Sequence, residues 1–259
     1  MSTEHDGDTG GEQADASETL ISHLVELRSR LLRMIAAVVL FFVALFPFRE
    51  WLYTELAQPL VRHLPLGGHL IATEVSSPFF TPIKLAAVLA LVLAMPVLIY
   101  QLWAFVSPGL YRHEKRLARP LLVSAVVLFY TGCAFAYFLV MPAAFRFLTA
   151  VTPHGVEMMT DINHYLNFVL TLLFAFGLCF EVPVAVVILA AIGVLPVEKL
   201  KKSRAYVVVA CFALAAVLTP PDVMSQVLLA VPMYTLYEAG ILAARLLVRE
   251  HAEETDESS

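Results

Sequence analysis

The chain has 259 residues, of which 59% are hydrophobic and only 15% are charged, and its mean hydropathy is +0.78. Ordinary soluble domains contain about 45–50% apolar and about 25% charged residues. This composition excludes a disordered chain and a nucleic-acid-binding domain, and it argues against a soluble enzyme.

The formal net charge of -5 arises at the two ends of the chain. Six of the 22 acidic residues fall in residues 1–18 and five in residues 250–259, and neither segment contains Lys or Arg. Both segments are therefore predicted to be disordered acidic tails. The remaining residues, 19–249, carry a net charge of +6 and are predicted to form the membrane domain.

Six segments are apolar enough to be membrane spans, for which about 20 apolar residues are needed. The fifth has only 14 residues and could, taken alone, be a re-entrant segment. In chain order the segments are 31–48, 83–105, 121–140, 168–195, 205–218 and 226–247.

The distribution of basic residues predicts the orientation of these spans. With six spans, 13 of the 17 Lys and Arg residues lie in alternate connections and four lie on the other side. Cytoplasmic loops carry the excess of Lys and Arg, so both termini are predicted to be cytoplasmic. With only five spans, Arg245 and Arg249 would lie on the external side of the membrane, so the distribution of basic residues favours six spans.

The predicted fold class is an all-α membrane protein of six transmembrane helices. Pro183 should bend the fourth helix, because it lacks an N–H and crowds the Cys179 carbonyl. The short fifth span and the tight turn at residues 219–222 predict a short hairpin of the fifth and sixth helices. The bent helix predicts a concave bundle, and Thr160 is a candidate cap for the fourth helix.

Several polar residues lie in or beside the apolar segments. Glu181 lies near the middle of the fourth span, where placing an ionised side chain in the membrane costs a few kcal/mol. It is either a docking point or proton-linked site, or a protonated acid hydrogen-bonded within the bundle; the same alternatives apply more weakly to Glu238. Gln226 and Thr219 can each hydrogen-bond a neighbouring helix, and Asp222 is a candidate N-cap.

Two further carboxylates, Glu26 and Glu114, lie in the segments most crowded with Lys and Arg. One interpretation is local pairing, such as Glu26 with Arg30 at i,i+4. The other is that each awaits a cationic partner, since Arg binds a carboxylate bidentately. Phe105, beside Trp103, has the position of an aromatic belt residue.

Enzymatic function is not indicated by any motif. The sequence lacks G-x-S-x-G, H-E-x-x-H and Walker patterns, and no histidine lies in a span. We therefore predict no enzyme activity, no metal and no cofactor. An ion-coupled small-molecule carrier, with Glu181 and Glu238 in its pathway, is the alternative, although such carriers show repeats that are not visible here. An intramembrane enzyme is a more distant alternative.

Five stretches of the chain resemble TatC, the multispanning core of the twin-arginine protein translocase. They lie in order and at the family's spacing over about residues 20–247. They are HLVELR at 23–28, SPFFTPIK at 77–84, YQLWAFVSPGLY at 100–111 with EKR at 114–116, FEVPV at 180–184 and LTPPDV at 218–223.

The resemblance implies a function in protein export. TatC-like proteins lie in the bacterial cytoplasmic membrane, with six spans and both termini cytoplasmic. They bind the arginine pair of signal peptides on folded cargo proteins, and transport depends on the proton-motive force. The residues that match this recognition site are Glu26, Glu114 and Phe105.

The resemblance also implies partner proteins. TatA and TatB, which have a single span, dock near the last three helices of the family in a multimeric complex within the lipid membrane. The matching positions here are Glu181, Thr219 and Gln226. We assign structural roles to Pro59, Pro96, Pro183 and Asp222.

Overall fold

The computed structural model describes residues 9–61, 70–106, 115–151, 159–191, 195–218 and 223–257, which are helical almost throughout. A 3-10 turn, Phe46–Phe48, joins the first two helices, and a π-helical segment, Ala136–Val140, joins the fourth and fifth. The helices are α1 Thr9–Leu45, α2 Arg49–Val61, α3 Ser77–Val106, α4 Lys115–Phe135, α5 Met141–Val151, α6 Ile162–Cys179, α7 Val182–Ala191, α8 Val197–Lys202, α9 Arg204–Leu218 and α10 Val223–Glu257.

The structure confirms an all-α protein with several membrane spans. Five helical stretches are long and apolar enough to cross a membrane: Leu24–Gln58, Ser77–Phe105, Arg119–Phe147, Ile162–Ala190 and Gln226–Leu246. Helix α9 has 15 residues and rises about 22 Å, less than a hydrocarbon core of about 30 Å. The fifth predicted span, 205–218, and with it the count of six spans, remains a prediction, as does the side of each terminus.

Helix extends into both segments that the sequence predicts to be disordered tails. Helix α1 begins at Thr9, within the acidic segment 1–18, and α10 continues to Glu257, within 250–259. A helix that the membrane segment has already nucleated gains one hydrogen bond for each residue it adds. Ala, Gln and Glu, common in these segments, favour that extension.

Two short strands pair at one end of the helix bundle. Strand β1, Leu70–Ile71, pairs in parallel with β2, Thr160–Asp161. Strand β1 lies shortly before α3, and β2 lies directly before α6. Both helices therefore start at the same end of the bundle. Helix α2 packs against α3 and α5. We call the end with the two strands the capped end, and the opposite end, where α3 finishes and α9 begins, the open end.

Glycines allow the central helices to pack closely. A Cβ atom at position 132 in α4 would lie 2.5 Å from the Phe176 carbonyl oxygen of α6. A Cβ at Gly177 would lie 2.7 Å from the ring of Phe129, which is fully buried. Small residues at such crossings let backbones approach and gain van der Waals contact, which drives helix association in lipid.

The last helices form a second packed unit near the open end. Helix α10 packs against α7 and α9, and a Cβ at Gly240 would lie 2.8 Å from the Pro183 Cα atom. By contrast, α1 packs mainly on α3, and none of its most apolar stretch is buried within the described chain. The buried side chains of the second unit are Val186, Val187, Leu200, Tyr237, Ile241 and Ala244.

Candidate functional site

A polar cluster joins α1 to α3 at the open end. The Arg30 guanidinium donates from Nε to Glu26 Oε1 at 2.9 Å and from Nη1 to Gln101 Oε1 at 3.3 Å. Gln101 is buried, and the Arg30 side chain is only 17% exposed, whereas that of Glu26 is 40% exposed. We call Glu26, Arg30 and Gln101 the Glu26 cluster.

The cluster engages one oxygen of the partly exposed Glu26 carboxylate. Arg30 donates from both Nε and Nη2 to the same oxygen, Oε1, so among the described residues Oε2 accepts no hydrogen bond. Arg30 is itself fixed by Gln101 on the neighbouring helix. The local i,i+4 pairing considered for Glu26 is therefore formed, and it leaves part of the carboxylate accessible to a further cation.

The structure describes one of the other two residues predicted for this site, Phe105, but not Glu114. Phe105 lies one helical turn beyond Gln101 near the end of α3 and is partly buried. Glu114 lies outside the described residues, so its position relative to Glu26 is not given by the structure. The sequence analysis missed Gln101; its signal was a single amide within an aromatic, apolar helix end.

The fourth predicted span is interrupted at Glu181. Helix α6 ends at Cys179 and α7 starts at Val182, and the Glu181 N–H donates to the Leu178 carbonyl at 3.1 Å, as in a tight turn. The Ala185 N–H in turn donates to the Glu181 carbonyl at 2.9 Å. The interruption occurs where Pro183 was predicted to bend the helix, because proline cannot supply the N–H that a continuous helix needs.

The Glu181 carboxyl group is partly enclosed by the bundle. Its Oε1 atom is buried and has no hydrogen-bond partner among the described residues. In the apolar stretch Ile162–Ala190, 19 residues precede Glu181 and nine follow it. It therefore lies in the second half of the span, not near the middle as predicted, because the helix starts earlier than residue 168.

The structure does not bring Gln226 to the level of Glu181. Gln226 is in the first turn of α10 and is partly buried. Gly240, which contacts Pro183 beside Glu181, lies 14 residues further along the same helix, a rise of about 21 Å. Thr219 and Asp222 lie outside the described residues.

The prolines with predicted structural roles lie within helices. Pro96 is inside α3, Pro59 is inside α2, and buried Pro183 is in the first turn of α7. Of these, Pro183 stands next to a break between two described helices. The first turn of a helix tolerates proline because its N–H has no intrahelical partner there.

Glu238 is paired with two side chains at the open end. Arg204 Nη2 donates to Glu238 Oε2 at 2.6 Å, and the Tyr234 hydroxyl donates to Oε1 at 2.8 Å. This ion pair connects the start of α9 to α10, and the sequence analysis did not predict it. Since both carboxylate oxygens are occupied, the carrier interpretation, which needs Glu238 in an open pathway, loses support.

A carboxylate that the sequence analysis overlooked caps α6. Asp161 Oδ1 accepts hydrogen bonds from the N–H groups of Asn163 at 2.8 Å and His164 at 3.1 Å. The predicted cap, Thr160, is wrong by one residue, because α6 starts at Ile162 and Asp161 occupies the position directly before it. The signal was available, since Asp directly before an apolar helix is a preferred N-cap.

No metal centre is apparent in the part of the chain that the structure describes. Within it, no group of three His, Cys, Asp or Glu side chains is close enough to hold an ion. The chemistry offered by the described residues is hydrogen bonding and charge pairing, at the partly exposed Glu26 and at Glu181 inside the bundle.

The fold and these polar groups define a multi-span helical membrane protein with acidic side chains at selected points of an apolar bundle. Residues 22–232 match the family model of TatC, the Sec-independent protein translocase protein. The chain belongs to the TatC family and is a component of the twin-arginine translocation system. The resemblance drawn from the five sequence motifs is confirmed.

Individual relatives cover nearly the whole chain. The chain is 54% identical over 249 residues to TatC of Azotobacter chroococcum mcd 1, which covers 96% of this chain and 98% of that relative. It is 52% identical over 232 residues to TatC of Escherichia coli strain K12, covering 90% of each. A crystal structure of the twin arginine translocase receptor TatC is similar with a TM-score of 0.77 at 37% identity, covering 86% of this chain and 98% of that chain.

Proposed function

We propose that the protein is the subunit that binds twin-arginine signal peptides of folded cargo proteins, through Glu26, Glu114 and Phe105. The observation that carries the proposal is the Glu26 cluster, in which a partly exposed carboxylate is oriented by Arg30 at the open end. The similar crystal structure is described as a translocase receptor, which supports the same assignment.

The proposed recognition uses one carboxylate for each incoming arginine. Oε1 of Glu26 is engaged by Arg30, so a guanidinium of the signal peptide binds at the Oε2 side, and Glu114 receives the second arginine. Charge-assisted hydrogen bonds of this kind are stronger than neutral ones and are directional. Phe105 lies beside the path of the signal peptide as its apolar stretch enters the bundle.

The proposed partners are single-span proteins of the TatA and TatB type, which dock at Glu181, Thr219 and Gln226. A buried carboxyl oxygen without a hydrogen-bond partner gains most when a polar group on another helix reaches it. In this proposal the protein works in a multimeric complex of the bacterial cytoplasmic membrane, with both termini cytoplasmic. Transport is driven by the proton-motive force, and the sequence has no nucleotide-binding motif.

The recognition site is tested by crosslinking a twin-arginine signal peptide to the full chain in membranes that contain its partners. Glu26→Gln and Glu114→Gln should each reduce binding about tenfold or more, since a hydrogen bond to a charged group contributes about 1.5–3 kcal/mol. Glu55→Gln, an exposed change on α2 at the other end, is the matched control. Undiminished crosslinking in both site variants would falsify the assignment.

The docking site needs a separate measurement, because its failure should leave recognition intact. Glu181→Leu is expected to reduce crosslinks from α10 to the partner helices, while signal-peptide crosslinks at the open end stay near the wild-type level. Glu198→Gln, an exposed change on α8, serves as control. Loss of signal-peptide binding with normal partner crosslinks would reverse the two roles.

A further inference from the structure

A cavity of about 300 Å³ opens at the capped end, between the first turns of α3 and the start of α6. Its volume is at the lower end of the range typical of ligand sites. The polar part of its wall includes Glu74, Lys84 and Asn163, and the apolar part includes Phe80 and Ile83. None of these residues belongs to the sites proposed for signal peptides or partner helices.

Lys84 supplies a positive charge that is held in place. It lies on the exposed side of α3, and its ammonium group donates a hydrogen bond to the Asn167 side-chain oxygen on α6. An ammonium group has three N–H donors, so this bond fixes its position without using its capacity to bind an anion. Lys84 lies two turns into the span Ser77–Phe105, a depth from which its long side chain can extend the ammonium group toward the membrane interface.

Glu74 supplies the opposite charge on the same cavity wall. Its Oε2 atom accepts a hydrogen bond from the Ser77 hydroxyl at 3.4 Å, a long and therefore weak bond. The first backbone N–H groups of α3 are already used, since Ser77 donates to the Glu74 carbonyl and Phe79 and Phe80 donate to the Ser76 carbonyl. Charged ligand groups would therefore be bound by side chains and not by the helix end.

The cavity borders an apolar surface that faces outward. Phe79 and Phe80 are 60% and 61% exposed, and their rings pack edge to face with centroids 5.2 Å apart. Aromatic side chains at the end of a span are typical of the membrane interface. A ligand in this place would have its polar part between Glu74 and Lys84 and its apolar part along Phe80 and Ile83.

We propose that this cavity binds the headgroup of a zwitterionic phospholipid of the phosphoethanolamine type. Lys84 binds the phosphate, Glu74 binds the primary ammonium group, and the acyl chains lie along Phe80 and Ile83. One cation and one anion in the wall match the two charges of this headgroup. An anionic headgroup leaves Glu74 without a partner, and a choline group has no N–H to donate to Glu74.

The test uses the full chain in proteoliposomes with a photoactivatable phosphatidylethanolamine, followed by mass-spectrometric mapping of the labelled residues. We expect labelling at α3 that excess phosphatidylethanolamine suppresses more strongly than phosphatidylglycerol or phosphatidylcholine. Lys84→Gln should reduce this labelling about tenfold, as for the loss of a hydrogen bond to a charged group. Glu74→Gln should remove the preference for phosphatidylethanolamine over the other two lipids.

Control variants keep the outcome interpretable. Arg146→Gln, an exposed change on α5, removes a positive charge outside the cavity wall and should leave labelling unchanged, and Lys84→Arg should retain most of it. A thermal unfolding curve for each variant separates lost binding from lost folding. Wild-type labelling in a folded Lys84→Gln variant, or equal competition by all three lipids, would overturn the proposal. Competition by soluble glycerophosphoethanolamine as effective as that of the lipid would also overturn it, in favour of a soluble ligand.

Discussion

Asp161 and Thr73, which are 88 residues apart in the sequence, are joined by two hydrogen bonds at the capped end. The backbone N–H of Thr73 donates to Asp161 Oδ2 at 2.9 Å and its hydroxyl donates to the same atom at 2.6 Å. Since Oδ1 caps α6, one carboxylate fixes both the start of that helix and the loop before α3. These bonds, those from Thr73 foremost, hold the pKa of Asp161 below its ordinary value.

The first prediction concerns acid stability. Because the folded-state pKa of Asp161 is lowered, its contribution to stability is complete above the ordinary value of 3.8 and is lost as the pH falls through the folded-state pKa. Asp161→Asn should therefore lower the thermal midpoint at pH 7, with a difference from wild type that narrows below about pH 4. A difference that stays constant from pH 7 to pH 3 would contradict this.

The second prediction concerns the crossing of α4 and α6. Gly132→Ala should destabilise the protein by about 1–3 kcal/mol, because its Cβ meets a backbone carbonyl that cannot move alone. Gly177→Ala should cost less, since it meets a phenylalanine ring that can shift slightly. The measurement is equilibrium unfolding in detergent, with Ala134→Val on the exposed side of α4 as control. Equal stability of Gly132→Ala and wild type would refute the close contact.

The third prediction concerns Arg204 and Glu238. We expect a double-mutant cycle with Arg204→Gln and Glu238→Gln to give a coupling free energy of about 0.5–3 kcal/mol, the range for residues in direct contact. The direct hydrogen bond at 2.6 Å is the reason. The pairing of Arg245→Gln with Glu238→Gln should give no coupling, as Arg245 is exposed and two turns away. Additive effects in the first cycle would show that the ion pair contributes nothing.

The fourth prediction concerns the attachment of α2. The buried Tyr165 hydroxyl donates to the Leu56 carbonyl at 2.7 Å, 109 residues away in the sequence. Tyr165→Phe should lower stability by about 0.5–1.5 kcal/mol, because the contact between α6 and α2 loses a buried hydrogen bond. Hydrogen exchange should rise first in α2, and Tyr206→Phe, an exposed change on α9, should have no such effect. Faster exchange elsewhere with α2 unchanged would count against it.

The fifth prediction concerns the buried amide of the Glu26 cluster. Gln101→Leu removes the acceptor that fixes Arg30 but leaves the Glu26 carboxylate in place. It should weaken twin-arginine peptide binding about threefold to tenfold, less than Glu26→Gln, because the effect is indirect: Glu26 keeps its carboxylate and its bonds from Arg30. Tyr100→Phe, the exposed neighbour on α3, is the control. A Gln101→Leu defect larger than that of Glu26→Gln would make Gln101 the direct ligand.

Features with a local physical cause were predicted from the sequence. The interruption before Pro183 follows from a missing N–H, and long apolar runs predict spans because the bilayer core has a fixed thickness. The pairing of Glu26 with Arg30 was considered because i,i+4 side chains meet on a helix. The five sequence motifs were sufficient to predict the TatC family.

Features that depend on distant segments were not predicted. Two-residue strands such as β1 and β2 have no measurable alternation, so their pairing has no sequence signal. The partner of Glu238 is 34 residues away on another helix, and no rule of spacing connects them. Thr160 was chosen over its neighbour Asp161 although both residue types are acceptable caps; the hydrogen bonds from Asn163 and His164 identify Asp161 as the cap.

The β1–β2 pair also determines how the bundle can deform. It joins the segments that precede α3 and α6, and the Asp161 carboxylate bonds to Thr73 before α3 and to the first turn of α6. The starts of two spans that are far apart in sequence therefore cannot separate without breaking these bonds. Any widening of the gap between α3 and α6 must be a rotation about the capped end, with the largest displacement at the level of Gln101 and Phe105.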